Sequence, residues 1–91
     1  VKELTVMPGQ TLSLQRHKHR NEFWHVTSGK CLVEQQMAGG YVLPTQELQE
    51  HDQLKIAKHE WHRIYNPFDE PCKIVEIQYG EICEESDIER K

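Results

Sequence analysis

Apolar and polar residues alternate with a period of two along most of the chain, and the period of an amphipathic helix is nearly absent. Short β-rich runs follow one another as ELTV, TLSLQ, FWHVTSGK, CLVEQQM, YVLPT, QLKIA, HRIYNP and CKIVEIQYG. Turn formers stand between them in MPGQ, AGG and Asn66-Pro67. About eight strands at roughly 8–12-residue spacing predict an all-β sandwich or barrel. Gly39-Gly40 predicts a hairpin turn between CLVEQQM and YVLP. EESDIERK, near the end, reads as a helix or a frayed terminus.

Alternation also sorts the side chains into faces. Along LSLQRHKH it places Ser13, Gln15, His17 and His19 on one face and Leu12 and Leu14 on the other. Leucines turned outward need cover from a second subunit, and leucines turned inward leave the histidines on the surface. On the next strand Glu22, Trp24 and Val26 share a face, while His25 takes the opposite one as a surface or interface residue. Phe23, Trp24 and Tyr65 read as core or rim aromatics. A glutamate on an apolar face costs several kcal/mol unless it is compensated, and a divalent metal is the strongest compensation. The run AKHEWHRIYNP adds His59 and His62. Gln15, His17, Glu22 and His62, drawn from separated strands, make a mixed nitrogen and oxygen site with room for water or substrate, unlike a closed structural zinc site.

Composition narrows the picture. Ninety-one residues predict a single domain, 1–91, ending in an acidic tail at about 81–91. At 36% hydrophobic and 29% charged, the chain has little apolar material for a core, which suits a compact barrel or a homodimer. The net charge of −4 comes largely from five acids between Glu81 and Glu89, so residues 1–80 balance nine Lys/Arg against ten Asp/Glu. That balance argues against nucleic acid, whereas Arg16, Lys18 and Arg20 among the histidines suit a small anion. Cys31, Cys72 and Cys83 form no CxxC pair and read as reduced structural thiols. No apolar run approaches the ~20 residues of a membrane span and no leader-like segment is seen, so the expected location is cytoplasmic.

PGQTLSLQRHKHRNEFWHVTSGK closely resembles the first cupin motif, in the version found in type II phosphomannose isomerases. Its spacing runs Gly9, five residues, Gln15-x-His17, four residues, Glu22, six residues, Gly29. Glutamine at position 15, where most cupins have histidine, is the isomerase variant. IAKHEWHRIYNP resembles the second motif, with the metal-binding histidine at His62 and matches at Arg63 and Asn66. It departs from the family at Ala57 and His59, which stand where Pro and Gly are usual. CKIVEIQYGEICEESDIER resembles the family's last strand and acidic ending.

The resemblance implies a double-stranded β-helix, the cupin jelly roll, with Gln15, His17, Glu22 and His62 as metal ligands. It implies a metal-dependent aldose–ketose isomerase acting on a sugar phosphate such as mannose 6-phosphate. The metal would be Zn first, with Mn, Fe, Ni or Co as alternatives. Arg20 and Arg63 are the candidates for the phosphate, and His19 and His59 for proton transfer through an enediol. A non-catalytic cupin that binds metal and sugar is the alternative, and a metal-dependent oxygenase a weaker one. The matched segments do not imply guanylyltransferase activity.

Overall fold

The computed structural model describes residues 1–16, 20–37, 39–80 and 88–90, with backbone alone at 13–16, 20, 89 and 90. Nine strands form among them: β1 Lys2–Val6, β2 Thr11–Arg16, β3 Arg20–Ser28, β4 Cys31–Gln36, β5 Gln46–Leu48, β6 Gln53–Ile56, β7 Trp61–Tyr65, β8 Cys72–Gly80 and β9 Glu89–Arg90. They build two antiparallel sheets, ordered β1-β8-β3-β6 and β5-β4-β7-β2-β9. Every connection except β4–β5 carries the chain from one sheet to the other, which is the winding of a double-stranded β-helix. No helix among the described residues is long and apolar enough to cross a membrane.

The inner faces follow the alternation. β4 buries Cys31, Val33 and Gln35, β3 buries Glu22, Trp24 and Val26, and β8 buries Cys72, Ile74 and Glu76. Together with Val6, Leu48, Ile56 and Ile64, the apolar members of these sets make one core between the sheets. Burial at ~25 cal/mol per Å² of apolar surface drives the two sheets together. Cys31 and Cys72 sit in this core as free thiols, and hydrogen bonding to Cys72 together with burial raises the Cys31 pKa. Cys83 lies outside the described residues.

Several elements differ from the sequence expectation. YVLPT is not a strand: Val42 makes an isolated bridge to Gln36, and the short strand comes later, at Gln46–Leu48. The turn at Gly39-Gly40 does form, with the Gly40 N–H donating to Met37 O at 2.8 Å and Met37 N–H donating to Tyr41 O at 2.8 Å. Residues 89–90 of the tail are neither helical nor frayed but pair with β2, Gln15 opposite Arg90 and Arg16 opposite Glu89.

The largest difference lies in β2. Leu12 is opposite Ile64 and Gln15 is opposite His62, so β2 spends one residue more than β7 between the two pairs. This bulge resets the alternation. Leu12, opposite Ile64, is therefore partly buried and packs against the core.

Two loops at one end of the barrel are tied by Asn66. Its side-chain amide donates to Val6 O at 2.9 Å and Glu70 O at 2.7 Å, and its Oδ1 accepts from Phe68 N–H at 2.9 Å. Gly29 closes the same end in a left-handed conformation, φ 78°. A Cβ there would lie 2.2 Å from Pro71 O, so the β3–β4 turn and the segment leading into β8 approach closely only with glycine between them.

Candidate functional site

The opposite end of the barrel interior is polar. Glu22 near the start of β3, Gln35 on β4, His62 on β7 and Glu76 on β8 are all buried there, and Trp24 lies among them. Register explains the convergence: His62 is opposite Gln35 on one side and opposite Gln15 on the other, while Trp24 is opposite Glu76. Antiparallel partners lie at the same level of a sheet, so these positions form one band.

Glu22 is 1% exposed and His62 3%, and Glu22 Oε1 lies 3.8 Å from His62 Nε2. The other oxygen of Glu22 accepts a hydrogen bond from Trp24 Nε1 at 3.3 Å. The same indole N–H donates to Glu76 Oε2 at 2.9 Å, and Glu76 Oε1 accepts from Gln78 Nε2 at 2.7 Å. His62 packs edge-on to Trp24, with ring centroids 5.5 Å apart and planes at 84°. Gln35 Nε2 donates to Lys55 O at 3.4 Å.

Two buried carboxyl groups beside one indole are electrostatically opposed. Burial pushes the Glu76 carboxyl up, and the hydrogen bond and negative charge of Glu22 push it further, against the pull of Gln78 and Trp24, to about 7. An anionic pair at this position needs a proton or a cation to relieve it.

The structure therefore brings together Glu22 and His62 of the four expected ligands. Gln15 has its backbone set opposite His62, and His17 and His19 lie outside the described residues. No cluster of three or more His, Cys, Asp or Glu side chains suited to an ion occurs among the described residues. The two donors that can be followed fit a divalent ion in chemistry: one carboxylate and one imidazole, both buried, with donor atoms 3.8 Å apart, somewhat beyond the ~3.0–3.4 Å between neighbouring ligands of an ion bound at about 2.1 Å.

The remaining expected residues are placed elsewhere. Arg63 follows His62 and so faces the other side of β7, where its guanidinium pairs with Glu34 of β4. Arg20 opens β3, opposite Gly80. His59 is exposed on the turn 57–60, which is held by Glu60 Oε1 accepting from Ala57 N–H at 2.6 Å and Asn21 Oδ1 accepting from Lys58 N–H at 2.9 Å. His59 also has φ 68°, the left-handed conformation that glycine adopts freely. His25, on the outer face of β3, stacks obliquely near His51 with ring centroids 6.1 Å apart.

Glu76 and Gln35 were not anticipated from the sequence. Both carried a signal, since Glu76 has the parity of Cys72 and Ile74, and Gln35 that of Cys31 and Val33. A surface hollow of about 750 Å³, bordered by Lys30, Glu50, Phe68 and Asp69, lies at the far end and shares none of these residues.

Comparison with known proteins places the chain in a family. Residues 1–91 match the profile of the family described as Mannose-6-phosphate isomerase C-terminal. The chain is similar to the xanthan biosynthesis protein XanB of Xanthomonas campestris, 42% identical over 90 residues that cover 99% of this chain and 18% of XanB. It is also similar to the mannose-1-phosphate guanylyltransferase of Escherichia coli, 36% identical over 99% of this chain and 18% of that protein. The chain thus spans about a fifth of the length of these relatives. Among solved structures, a Klebsiella pneumoniae protein with a double-stranded β-helix domain superposes with a TM-score of 0.74 at 22% identity, covering 86% of this chain and 64% of the other.

Proposed function

Because the chain belongs to the mannose-6-phosphate isomerase C-terminal family, we propose that it is a metal-dependent isomerase domain that interconverts an aldose phosphate, such as mannose 6-phosphate, and the corresponding ketose. The observation that carries this reading is the burial of Glu22 against His62 at 3.8 Å at the polar end of the barrel interior. Glu22 and His62 would hold a divalent ion, Zn or alternatively Mn, Fe, Ni or Co, with Gln15 and His17 as the remaining ligands. Such an ion supplies Lewis-acid polarisation of the sugar's C1 and C2 oxygens.

The chain's own residues do the rest. Gln35 and Glu76 are the further buried polar groups beside Glu22 and His62, and would bound the site from β4 and β8. Arg63 is engaged by Glu34 on the outer face, so the phosphate falls to Arg20 at the start of β3. His19 and His59 are the candidates for moving the proton between C1 and C2. The guanylyltransferase activity named for the Escherichia coli relative is not assigned to these 91 residues.

Proton NMR of mannose 6-phosphate in D₂O with the metal-supplemented protein tests the proposal. Expected are fructose 6-phosphate and loss of the C2 proton, both abolished in His62→Ala. Sugar binding without either change would identify a binding module instead, and neither binding nor turnover would overturn the sugar-phosphate reading.

A further inference from the structure

We propose that Trp24 is a positioning residue of the metal site, holding Glu22 as a ligand through its indole N–H. The inference rests on the metal reading above but concerns a residue which that reading leaves in the core. A tryptophan buried only for its area has no need of two carboxylates. Here a single N–H reaches Glu22 Oε2 at 3.3 Å and Glu76 Oε2 at 2.9 Å, all within a site where Trp24 is 2% exposed.

The consequence for Glu22 is directional. With Oε2 tied to the indole, Oε1 is the oxygen that points to His62 Nε2. The same indole packs T-shaped against the His62 ring, so one side chain touches both donors. Glu76 completes the arrangement from the far side: by accepting the stronger of the two bonds, it fixes the rotation of Trp24, and Gln78 in turn fixes Glu76. Outer partners that orient ligands in this way commonly change metal affinity 10–100-fold when they are removed.

Trp24→Phe keeps an aromatic ring in the core and deletes the donor. Its test is calorimetric titration of the metal-free protein with Zn²⁺ and Mn²⁺, with Val26→Ala as the control. Val26 is buried on the same face of the same strand and touches neither donor's hydrogen bonds, so it reports what core destabilisation alone does. The expected result is a 10–100-fold loss of affinity in Trp24→Phe and less than a threefold change in Val26→Ala. Equal losses in the two variants, or wild-type affinity in Trp24→Phe, would overturn the positioning role and leave the metal reading standing.

A second readout needs no folded variant. The chain has two tryptophans, so the indole N–H signals of Trp24 and Trp61 are distinguishable in a ¹⁵N-labelled sample. Metal titration should shift the Trp24 signal in step with binding and far more than that of Trp61. Binding that leaves the Trp24 signal in place would sink the proposal, and a wild-type protein that binds neither ion would sink both it and the metal reading.

Discussion

Glu76→Gln isolates the cost of burying two carboxyl groups side by side. In the metal-free fold the Glu76 pKa is raised from 4.5 to about 7, first by burial and then by Glu22. A carboxyl raised on folding stabilises the fold while it is protonated, so its contribution is complete below about 4.5 and is lost as pH rises through about 7. At 1.36 kcal/mol per unit, the loss approaches about 3 kcal/mol. Glutamine keeps an oxygen for Trp24 and a size close to that of the protonated acid, but it does not ionise. The variant should therefore match the wild type near pH 5 and exceed it near pH 8.5 by up to about 3 kcal/mol, or about 10–20 °C in melting temperature for a domain of this size. Circular dichroism melts in chelator across pH 5–9 give the comparison. A difference between the two proteins that is flat across that range, or that grows toward acid pH, would refute the reasoning.

Three substitutions at left-handed backbone positions test the turns of the barrel. His59→Gly relieves a side chain held at φ 68° on an exposed turn, and should raise stability by about 1 kcal/mol in thermal or urea unfolding. A loss of stability would show that the imidazole makes a contact worth more than the strain. Gly29→Ala drives a Cβ to within 2.2 Å of Pro71 O, and should leave little folded protein by circular dichroism, whereas Gly9→Ala, with open space at its Cβ but the same sign of φ, should cost only about 1–2 kcal/mol.

Much of the site is legible because β3 alternates without interruption from Glu22 to Val26 and β7 does so throughout. Glu22 shares its parity with Trp24 and Val26, and His62 with Ile64, so placing each on an inner face requires no knowledge of register. β2 breaks that rule. Its extra residue between Leu12 and Gln15 carries no glycine or proline to mark it, so alternation carried back from an inward Gln15 turns Leu12 outward, whereas the register sets both opposite inward residues of β7. The strand at Gln46–Leu48 is hidden for a different reason: three residues with one apolar side chain have no period, and their pairing with β4 is set by that strand. The Trp24–Glu76 bond joins residues 52 apart, and only the β3–β8 register brings them level.

Metal binding by the wild type and by His62→Ala tests the central claim most directly, because the buried Glu22–His62 pair is the feature from which the rest of the function follows. Calorimetric titration at pH 7.5 should give one divalent ion per wild-type chain. His62→Ala should bind at least tenfold more weakly, and the wild-type affinity should fall as pH drops below the ordinary histidine pKa of ~6.5, where protons compete for the imidazoles. Wild-type protein that takes up no Zn, Mn, Ni, Co or Fe(II), or a His62→Ala variant that binds as tightly as the wild type, would contradict the account.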